Sequence, residues 1–448
     1  MGGGGSRRRS RVPAGRVERL ARIGWMAGEL ALGGVAEGVR RLAGAEPDGG
    51  NLFLTGANGR RLAKRLSSMR GAAMKLGQLL SLEGDDLLPP EVSDALAVLR
   101  ADGDSMPRSQ LRRVLGRAWG HGWEERFREF DYEPIAAASI GQVHRGVTAD
   151  GRVLALKIQY PGVGRSIGSD VDNLAAALRL ARLLPGELDL RELLGEAKRQ
   201  LRREADYKAE AESLQRYGEL LQGAPEFAVP AVHDDLTTAH VLAMDQLVGL
   251  PLEDLCGPEH SQERRDRAGR SLLGLVLREL FEFRFVQTDP NFANYLWLPA
   301  SEQIGLLDLG AAREVPADLA LSYARLCQSA MRGDTQALYR VAVEMGLLQG
   351  DESPEQRDHF IGFLELISEP FRCDGLYDFR GSDIPRRARE KATQLALQHG
   401  FLKPPPPDVL FLQRKLGGSF LLCARLGARV DVKDLLGESL ERQGLLAV

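Results

Sequence analysis

Hydrophobic positions follow a helical spacing over most of the chain and change to strand-like runs in its middle third. Over residues 16–123 the apolar positions recur with the period of an α-helix, with breaks at 89–90 and 102–104. After residue 130 a turn signal, Asp150-Gly151, precedes the apolar run 153–158. This pattern predicts a β-hairpin whose second strand is 153–158.

Further along, the pattern alternates between helices and one buried strand. It predicts helices over 169–184, 188–221 and 271–285, a strand over 240–245, and a helical chain from residue 308 to the end, including 414–426. The alanine-rich run 135–143 leaves two alternatives open. It is either a loop before the hairpin or the start of a helix, because alanine is the best helix former.

Composition places few limits on function. A length of 448 residues predicts two to three domains, and a net charge of −3 gives no general indication of nucleic-acid binding. The four cysteines form no Cys-x-x-Cys motif, which favours a reducing compartment and argues against a structural zinc site. No apolar run reaches the length of a membrane-spanning helix.

Positive charge is concentrated near the start of the chain. Residues 7–19 carry six arginines and one glutamate, and residues 60–70 carry five positive charges without an acid. Such patches attract anionic surfaces, including lipid headgroups, although solvated arginines would give the same pattern. Glycines at 24, 28, 34 and 38 have the spacing of close helix contacts, which allows self-association through this segment or packing on the same chain.

Three polar side chains within residues 286–310 suit a magnesium–phosphate site. Asp289 and Asn294 lie five positions apart, and Asp308 follows at the end of an apolar run. Kinase-like phosphoryl-transfer sites use this order, with an Asp near the attacking group, then an Asn and a second Asp on the metal. Mg²⁺ prefers hard oxygen ligands such as these. An Asp-x-x-x-x-Asn string alone is common on ordinary loops, so the interpretation depends on Asp308.

A lysine on the second strand of the hairpin, Lys157, interrupts apolar neighbours. In kinase nucleotide-binding lobes, a lysine at this place pairs with the α- and β-phosphates. The usual Gly-x-Gly-x-x-Gly-x-Val loop is matched in spacing by Ala136, Ala138, Gly141 and Val143, so two glycines are replaced by alanine. Because each Cβ restricts positive φ and limits the approach of N–H groups to phosphate, we expect an altered nucleotide geometry.

A kinase-like site also needs a glutamate that orients the lysine by an ion pair. The helix predicted over 188–221 offers three carboxylates within 204–210, and Glu210 lies 53 residues after Lys157, which leaves room for an inserted helix. The strand 240–245, which includes Met244, and the connector 246–249 occupy the place of the hinge that contacts adenine.

In the identity and order of these motifs, the chain resembles the UbiB-type (AarF/ADCK) family of atypical kinase-like proteins. This family is associated with ubiquinone (coenzyme Q) biosynthesis. The resemblance spans about residues 60–313. The family's Lys-x-Gly-Gln matches 75–78, its alanine-rich loop matches 136–144, and its Glu-x-Asp matches 204–206. The catalytic segment 287–294 is more similar to the mitochondrial coenzyme Q branch than to the His-x-Asp-Pro-His-Pro-Gly-Asn of many bacterial members.

The resemblance implies a role for each matching residue. Lys157 would hold the phosphates and Glu210 would orient it, while Asn294 and Asp308 would bind Mg²⁺. Asp289 would position or deprotonate the attacking group. The expected nucleotide contacts are completed by Ala136, Ala137, Ala138, Ser139, Gly141, Val143, Met244, Lys75, Gln78, Glu204 and Asp206. In the family, the helix that carries Lys-x-Gly-Gln covers the place of a protein substrate; on composition alone, Lys75 and Gln78 would only be solvated.

The resemblance also implies an α+β, two-lobed, atypical protein-kinase-like fold with an N-terminal helical extension. We expect the extension over 1–128, a small β-rich N-lobe with inserted helices over 129–248, and a large helical C-lobe over 249–448. The expected function is an ATPase that binds ATP or ADP with Mg²⁺ between the lobes and supports ubiquinone biosynthesis. A nucleotide-binding pseudokinase scaffold without turnover and a small-molecule kinase are the alternatives.

Partners and location follow from the same resemblance. We expect nucleotide, an anionic membrane surface, and quinone-biosynthesis proteins or lipid precursors as partners. We expect no nucleic acid, and a homodimer through the N-terminal helices is an open option. The expected location is cytoplasmic and peripheral to the inner membrane in a bacterium, or the matrix side of the mitochondrion in a eukaryote.

Overall fold

The computed structural model describes residues 106–180, 191–398 and 406–445. By its contacts the chain divides into two units. Of the described residues, unit 1 holds 106–180, 191–215 and Ala231–Gln246, and unit 2 holds Arg216–Pro230, 247–398 and 406–445. The part of the expected N-terminal helical extension before residue 106, which includes Lys75 and Gln78, lies outside the described residues. The predicted boundaries at 128 and 248 stay a prediction.

Unit 1 is built on an antiparallel sheet in the order β1-β3-β4-β6, with β2 paired to the beginning of β3. Its strands are β1 (Phe127–Phe130), β2 (Ala136–Ala137), β3 (Gly141–Thr148), β4 (Val153–Gln159) and β6 (Val241–Asp245), and its helices are α1 (Arg108–Trp119), α2 (Val163–Leu180), α3 (Arg191–Glu204) and the first part of α4 (Tyr207–Leu220). A 3-10 turn, Trp123–Arg126, precedes β1.

The β3–β4 hairpin positions Lys157. Gly151 adopts φ +94° in its turn, a conformation that favours glycine, and the N–H of Gly151 donates to the carbonyl of Thr148 at 3.0 Å. From residue 154 onward β4 is buried along its whole length, as expected for a strand covered on both faces. Its register places Lys157 opposite Val143.

A hydrophobic cluster supports this sheet from the side of α1. Leu111 and Leu115 of α1 share one face of the helix and pack with the inward residues of β4, including Leu154 and Leu156. The indole N–H of Trp119 donates to a carbonyl oxygen of the loop before β6 at 2.8 Å. The hairpin therefore lies on a packed base of apolar and aromatic side chains.

Unit 2 is mainly helical and contains three small sheets among the described residues, in the orders β5-β10-β9-β7, β11-β8 and β12-β13. Its strands are β5 (Phe227–Ala228), β7 (Leu250–Pro251), β8 (Phe285–Gln287), β9 (Tyr295–Leu298), β10 (Gln303–Leu306), β11 (Ala312–Glu314), β12 (Tyr377–Asp378) and β13 (Arg429–Val430). Its helices after α4 are α5 (Gln262–Leu277), α6 (Ala317–Arg332), α7 (Thr335–Glu344), α8 (Pro354–Ile367), α9 (Glu369–Arg372), α10 (Ile384–Gln398), α11 (Pro407–Leu426) and α12 (Val432–Arg442).

Two irregular segments of unit 2 lead to the segment that carries Asp289. Helix α5 continues into a π-helix, Arg278–Phe283, which buries four of its six side chains and ends at Arg284 with φ +49°. Such π-helical turns are frequent at functional sites. Strand β8 follows, then a 3-10 turn, Phe292–Asn294, and the β9–β10 hairpin. A further 3-10 turn, Leu252–Cys256, precedes α5.

The structure confirms several sequence-based expectations and corrects others. The α+β class and the strand carrying Lys157 are confirmed. The helix-start alternative for the alanine-rich run is wrong, because Ala136 and Ala137 form a strand. The single helix predicted over 188–221 is two helices, α3 and α4, since the chain turns at 205–206. A chain helical from 308 onward is also wrong, because β11, β12 and β13 lie within it.

Among the described residues, no helix combines the length and the hydropathy that crossing a membrane requires.

Candidate nucleotide and metal site

The centre of the candidate site in unit 1 is a buried ion pair between Lys157 and Glu210. The ammonium Nζ of Lys157 donates to Oε1 of Glu210 at 2.7 Å and to Oε2 at 3.0 Å. Lys157 is 6% exposed and Glu210 is 1% exposed. The Tyr207 ring lies below the same ammonium, with 5.4 Å from Nζ to the ring centroid. The predicted ion pair is present, and it holds the lysine ammonium at one place on β4.

The alanine-rich loop is an extended segment closed by a tight turn. Ala136 and Ala137 pair with Val143 and Gln142 on β3, and the N–H of Ala138 donates to the carbonyl of Gly141 at 3.0 Å. A Cβ on Gly141 would lie 2.3 Å from the carbonyl oxygen of Ile158, so only glycine permits this approach of β3 to β4. Ala136 and Ala137 are therefore exposed residues on a strand that borders β3, the neighbour of the strand that carries Lys157.

The Glu-x-Asp motif connects this loop to the start of α4. The hydroxyl of Ser139 donates to Oε2 of Glu204 at 2.5 Å. Asp206 accepts from the N–H of Ala209 at 3.2 Å and so caps the first turn of α4, the turn that contains Glu210. The amide of Gln159, at the end of β4, donates to the carbonyl of Ala205 at 2.7 Å. The motif thus sets where α4 begins relative to β4.

The predicted hinge begins at the buried end of β6. Met244 is buried and lies opposite Ala155 of β4. The N–H of Asp245 donates to the carbonyl of Ala231 at 2.9 Å, and that of Gln246 to Val153 at 3.1 Å. These two backbone donors are used within unit 1, and a contact of Met244 with adenine stays a prediction.

In unit 2 the β9–β10 hairpin brings the predicted metal ligands together. Tyr295 lies opposite Leu306, and the N–H of Leu307 donates to the carbonyl of Asn294 at 2.9 Å. Asn294 and Asp308 therefore flank the same end of the hairpin. Both line one small cavity of about 10 Å³, whose other walls include Glu279, Gln287, Tyr295 and Leu309.

The catalytic segment is folded on itself by its own polar groups. The amide nitrogen of Asn294 donates to the carbonyl of Asp289 at 3.0 Å, and the N–H of Asn291 donates to the same carbonyl at 2.9 Å. The hydroxyl of Thr288 donates to the carbonyl of Ala311 at 2.9 Å, and the amide of Gln287 donates to the carbonyl of Asp308. These bonds connect the Asp289 segment directly to the Asp308 segment.

The oxygen atoms present fit a magnesium ion. Because the amide nitrogen of Asn294 is bonded to the loop, its side-chain oxygen is the atom that remains for a cation. Oδ1 of Asp308 accepts from the N–H of Gly310 at 3.1 Å, which fixes the carboxylate. Within the described residues no group of three or more His, Cys, Asp or Glu side chains could hold a metal. A site with two protein oxygens, completed by phosphate and water, is what Mg²⁺ uses with nucleotides.

Sequence reasoning missed a second buried ion pair next to this segment. Nζ of Lys415 lies 2.9 Å from Oε2 of Glu279, and the two residues are 1% and 0% exposed. Burial opposes the charge on Lys415, but the adjacent carboxylate of Glu279 and the hydroxyl of Tyr295 outweigh it and raise its pKa. Tyr217 donates to Oε1 of Glu279 at 2.8 Å, and burial together with Glu279 raises the pKa of this tyrosine. The one signal in the sequence is that the apolar run 271–285 contains acids, Glu279 among them.

Comparison with known proteins identifies the family. A family model described as the ABC1 atypical kinase-like domain matches residues 98–342, which is more than half of the chain. The chain belongs to the ABC1 atypical kinase-like family. The matched range contains the residues described above in each unit, from the alanine-rich loop to Asp308. The resemblance found in the sequence is therefore confirmed.

Full-length relatives agree with this family. The ABC1 chain is 40% identical to atypical kinase COQ8B, mitochondrial, of Rattus norvegicus, over 97% of its own length and 82% of the rat protein. It is 36% identical to atypical kinase COQ8, mitochondrial, of Saccharomyces cerevisiae, over 96% of its length and 85% of the yeast protein. Among solved structures, Rv3197 in complex with erythromycin, from Mycobacterium tuberculosis, aligns with a TM-score of 0.58 at 24% identity, covering 85% of this chain and 95% of that one. This last likeness shows a shared fold.

Proposed function

We propose that this ABC1 member is an atypical kinase-like ATPase that uses ATP with Mg²⁺. The observation that carries the proposal is the buried ion pair between Lys157 and Glu210. Burying two charges costs desolvation free energy, and apolar residues of the same size often stabilise a fold as well or better. Stability alone therefore does not explain this pair, and a functional role does. In kinase-like sites this pair holds the lysine ready for the α- and β-phosphates.

The roles of the individual residues follow from their chemistry. Lys157 contacts the phosphates, and Glu210 orients it. The side-chain oxygens of Asn294 and Asp308 hold the metal, which when bound neutralises developing charge on the phosphate oxygens. Asp289 positions the attacking group through its carboxylate. The loop containing Ala136, Ala137, Ala138, Ser139, Gly141 and Val143 borders the phosphates, with Met244 on the adenine side.

Water is the acceptor that we propose for the phosphoryl group. Support comes from the family resemblance: in the family, the helix that carries the Lys-x-Gly-Gln motif, matched in this sequence by Lys75 and Gln78, covers the place of a protein substrate. Both residues lie outside the described part of the chain, so this step rests on the sequence alone. A phosphorylated metabolite whose formation depends on Asp289 would replace water by a small-molecule acceptor.

ATP hydrolysis by the parent, Asp289→Asn and Asp308→Asn tests the catalytic assignment. Both changes remove one negative charge and keep the size of the side chain. We expect loss of most turnover in each variant, with the parent stimulated by liposomes that contain anionic lipid. Equal turnover in all three proteins, with and without liposomes, would contradict the catalytic roles of Asp289 and Asp308.

A second candidate is a nucleotide-binding pseudokinase that supports other enzymes. The bond between Ser139 and Glu204 favours it, because it places a carboxylate on the loop that would otherwise approach the phosphates. This candidate predicts stabilisation of the fold by Mg-ADP or Mg-ATP, by several kcal/mol at saturating ligand, without turnover under any of the conditions above. The same samples therefore separate the two candidates.

The pathway that we propose is ubiquinone biosynthesis, at an anionic membrane surface. The support is the family resemblance, the names of the COQ8 relatives and the basic residues near the start of the chain. Quinone profiling by mass spectrometry of a strain that lacks the protein, complemented by the parent or by Asp289→Asn, tests it. We expect loss of ubiquinone that only the parent restores; normal ubiquinone without the protein would contradict the pathway.

A further inference from the structure

The segment that carries Asp289 and Asn294 is attached at its start to a buried tyrosine and a buried glutamate. The backbone N–H of Gln287 donates to the hydroxyl of Tyr217 at 2.9 Å and approaches Oε1 of Glu279 at 3.4 Å. The Tyr217 hydroxyl donates in turn to Oε1 of Glu279 at 2.8 Å. Tyr217 and Glu279 are 0% exposed, and Gln287 is buried as well, so no water competes for these bonds. The bonds fix the position of the chain two residues before Asp289.

The same buried charges also hold the end of the segment. Lys415, the partner of Glu279, hydrogen-bonds to the hydroxyl of Tyr295, the residue directly after Asn294. Tyr295 is buried and begins strand β9. One ion pair therefore contacts both ends of the segment, through Glu279 at residue 287 and through Lys415 at residue 295.

A third contact holds the middle of the segment against the helix that carries Lys415. A Cβ on Gly418 would lie 2.1 Å from Cγ of Pro290, so helix α11 approaches the residue after Asp289 closely enough to require glycine. Gly418 and Lys415 are three positions apart and share one face of α11. The helix thus contributes both a charge and a close backbone approach to the same segment.

We propose that Tyr217, Glu279 and Lys415 are positioning residues of the metal site, which hold the segment 287–295 so that Asn294 and Asp308 face the same cation. Gln287 extends the effect to Asp308, because its side-chain amide donates to the carbonyl of that residue. This inference rests on the proposed function, since it names what positions the metal ligands. Through Lys415, it assigns a role to helix α11 in the C-terminal third of the chain.

Two conservative changes test the proposal without removing a charge or a ring. Tyr217→Phe removes the acceptor of the Gln287 N–H, and Tyr295→Phe removes the hydroxyl that contacts Lys415. Tyr323→Phe is the matched control, because Tyr323 is also buried in unit 2 and its hydroxyl donates to a backbone carbonyl, that of Val409, at 3.3 Å. All three variants lose one buried hydroxyl, so a general loss of stability affects them alike.

Two measurements are made on each full-length variant. Hydrogen exchange of the backbone amides of 287–295 reports the position of the segment, whether or not the protein binds nucleotide. The Mg²⁺ concentration that gives half-maximal thermal stabilisation by ADP reports the metal site. We expect faster exchange in 287–295 for Tyr217→Phe and Tyr295→Phe, and a Mg²⁺ requirement raised about 10- to 100-fold, the effect typical of groups that orient metal ligands. The affinity for ADP at saturating Mg²⁺ should stay at the parent value.

The two measurements separate failure of this inference from failure of the proposed function. Exchange in 287–295 that is the same in Tyr217→Phe, Tyr295→Phe and Tyr323→Phe would overturn the positioning role. A parent that shows no stabilisation by ADP with Mg²⁺ would overturn the proposed function, and the exchange data would then decide on the positioning role alone.

Discussion

A single methyl group at residue 418 tests whether helix α11 sets the position of the catalytic segment. A Cβ added at Gly418 would lie 2.1 Å from Cγ of Pro290 and 2.8 Å from its Cβ. At the neighbouring Gly417, an added Cβ would meet nothing within 4 Å. Gly417→Ala is therefore a matched control, with the same chemical change in the same helix.

The distances set the size of the expected effect. Carbon atoms in contact lie about 3.5–4.0 Å apart, so alanine at 418 must move Pro290 and the helix apart by roughly 1.5 Å. Asp289 precedes Pro290 directly, and a misplacement of about 1 Å in a reacting group costs on the order of 100-fold in rate. Overpacking costs about 1–3 kcal/mol of unfolding free energy, and the better helix propensity of alanine offsets about 1 kcal/mol of it. Gly417→Ala receives that gain without the clash.

The assay is ATP hydrolysis at saturating Mg-ATP, with urea unfolding of the same samples. We expect Gly418→Ala to lose about 100-fold in turnover while its unfolding free energy falls by no more than about 2 kcal/mol. Gly417→Ala should keep parental turnover and gain up to about 1 kcal/mol. Equal turnover in the two variants would refute the argument that the contact of α11 with Pro290 positions Asp289.

Three further predictions concern unit 1. Lys157→Met and Glu210→Gln should each cost about 3–5 kcal/mol in urea unfolding, because each removes one partner of a buried ion pair. The double variant should cost clearly less than the sum; additive losses would contradict a coupled pair. Gly141→Ala should lower the unfolding free energy by about 1–3 kcal/mol, because the added Cβ clashes with a carbonyl of β4. Gly164→Ala should not lower it, because an added Cβ there meets nothing within 4 Å. Burial lowers the pKa of His144 below its usual value, so the unfolded chain binds a proton on this residue more readily than the folded protein does. The unfolding free energy should therefore fall as the pH drops through about 6.5. A His144→Gln variant with the same pH dependence of the unfolding free energy as the parent would contradict this.

The parts of the site that could be predicted from sequence depend on local signals. The Asp150-Gly151 turn and the apolar run after it indicate the strand of Lys157, because a tight turn and a buried strand each leave a mark within a few residues. The order of Asp289, Asn294 and Asp308 is a motif of the same local kind. The structure places Asn294 and Asp308 at one end of a hairpin, which agrees with their spacing in this motif.

The parts that could not be predicted depend on contacts between distant residues. Lys415 lies 136 positions after Glu279 in the sequence, and no pattern within α11 marks its lysine as the partner of that acid. Strands of two residues such as β12 and β13 exist only because each has the other to pair with. The capping of α4 by the Asp206 carboxylate becomes visible only when the break before α4 is known, and a contact of Asp206 with nucleotide stays a prediction.

The central claim is that a nucleotide binds here together with a metal held by Asn294 and Asp308. Isothermal titration of ADP into the parent and into Asp308→Asn, with Mg²⁺ and with the metal removed by chelation, tests it most directly. The account predicts binding that requires Mg²⁺ in the parent and a large loss of affinity in the variant when Mg²⁺ is present. Equal affinity of parent and variant, or parent binding that is unchanged by chelation, would contradict it.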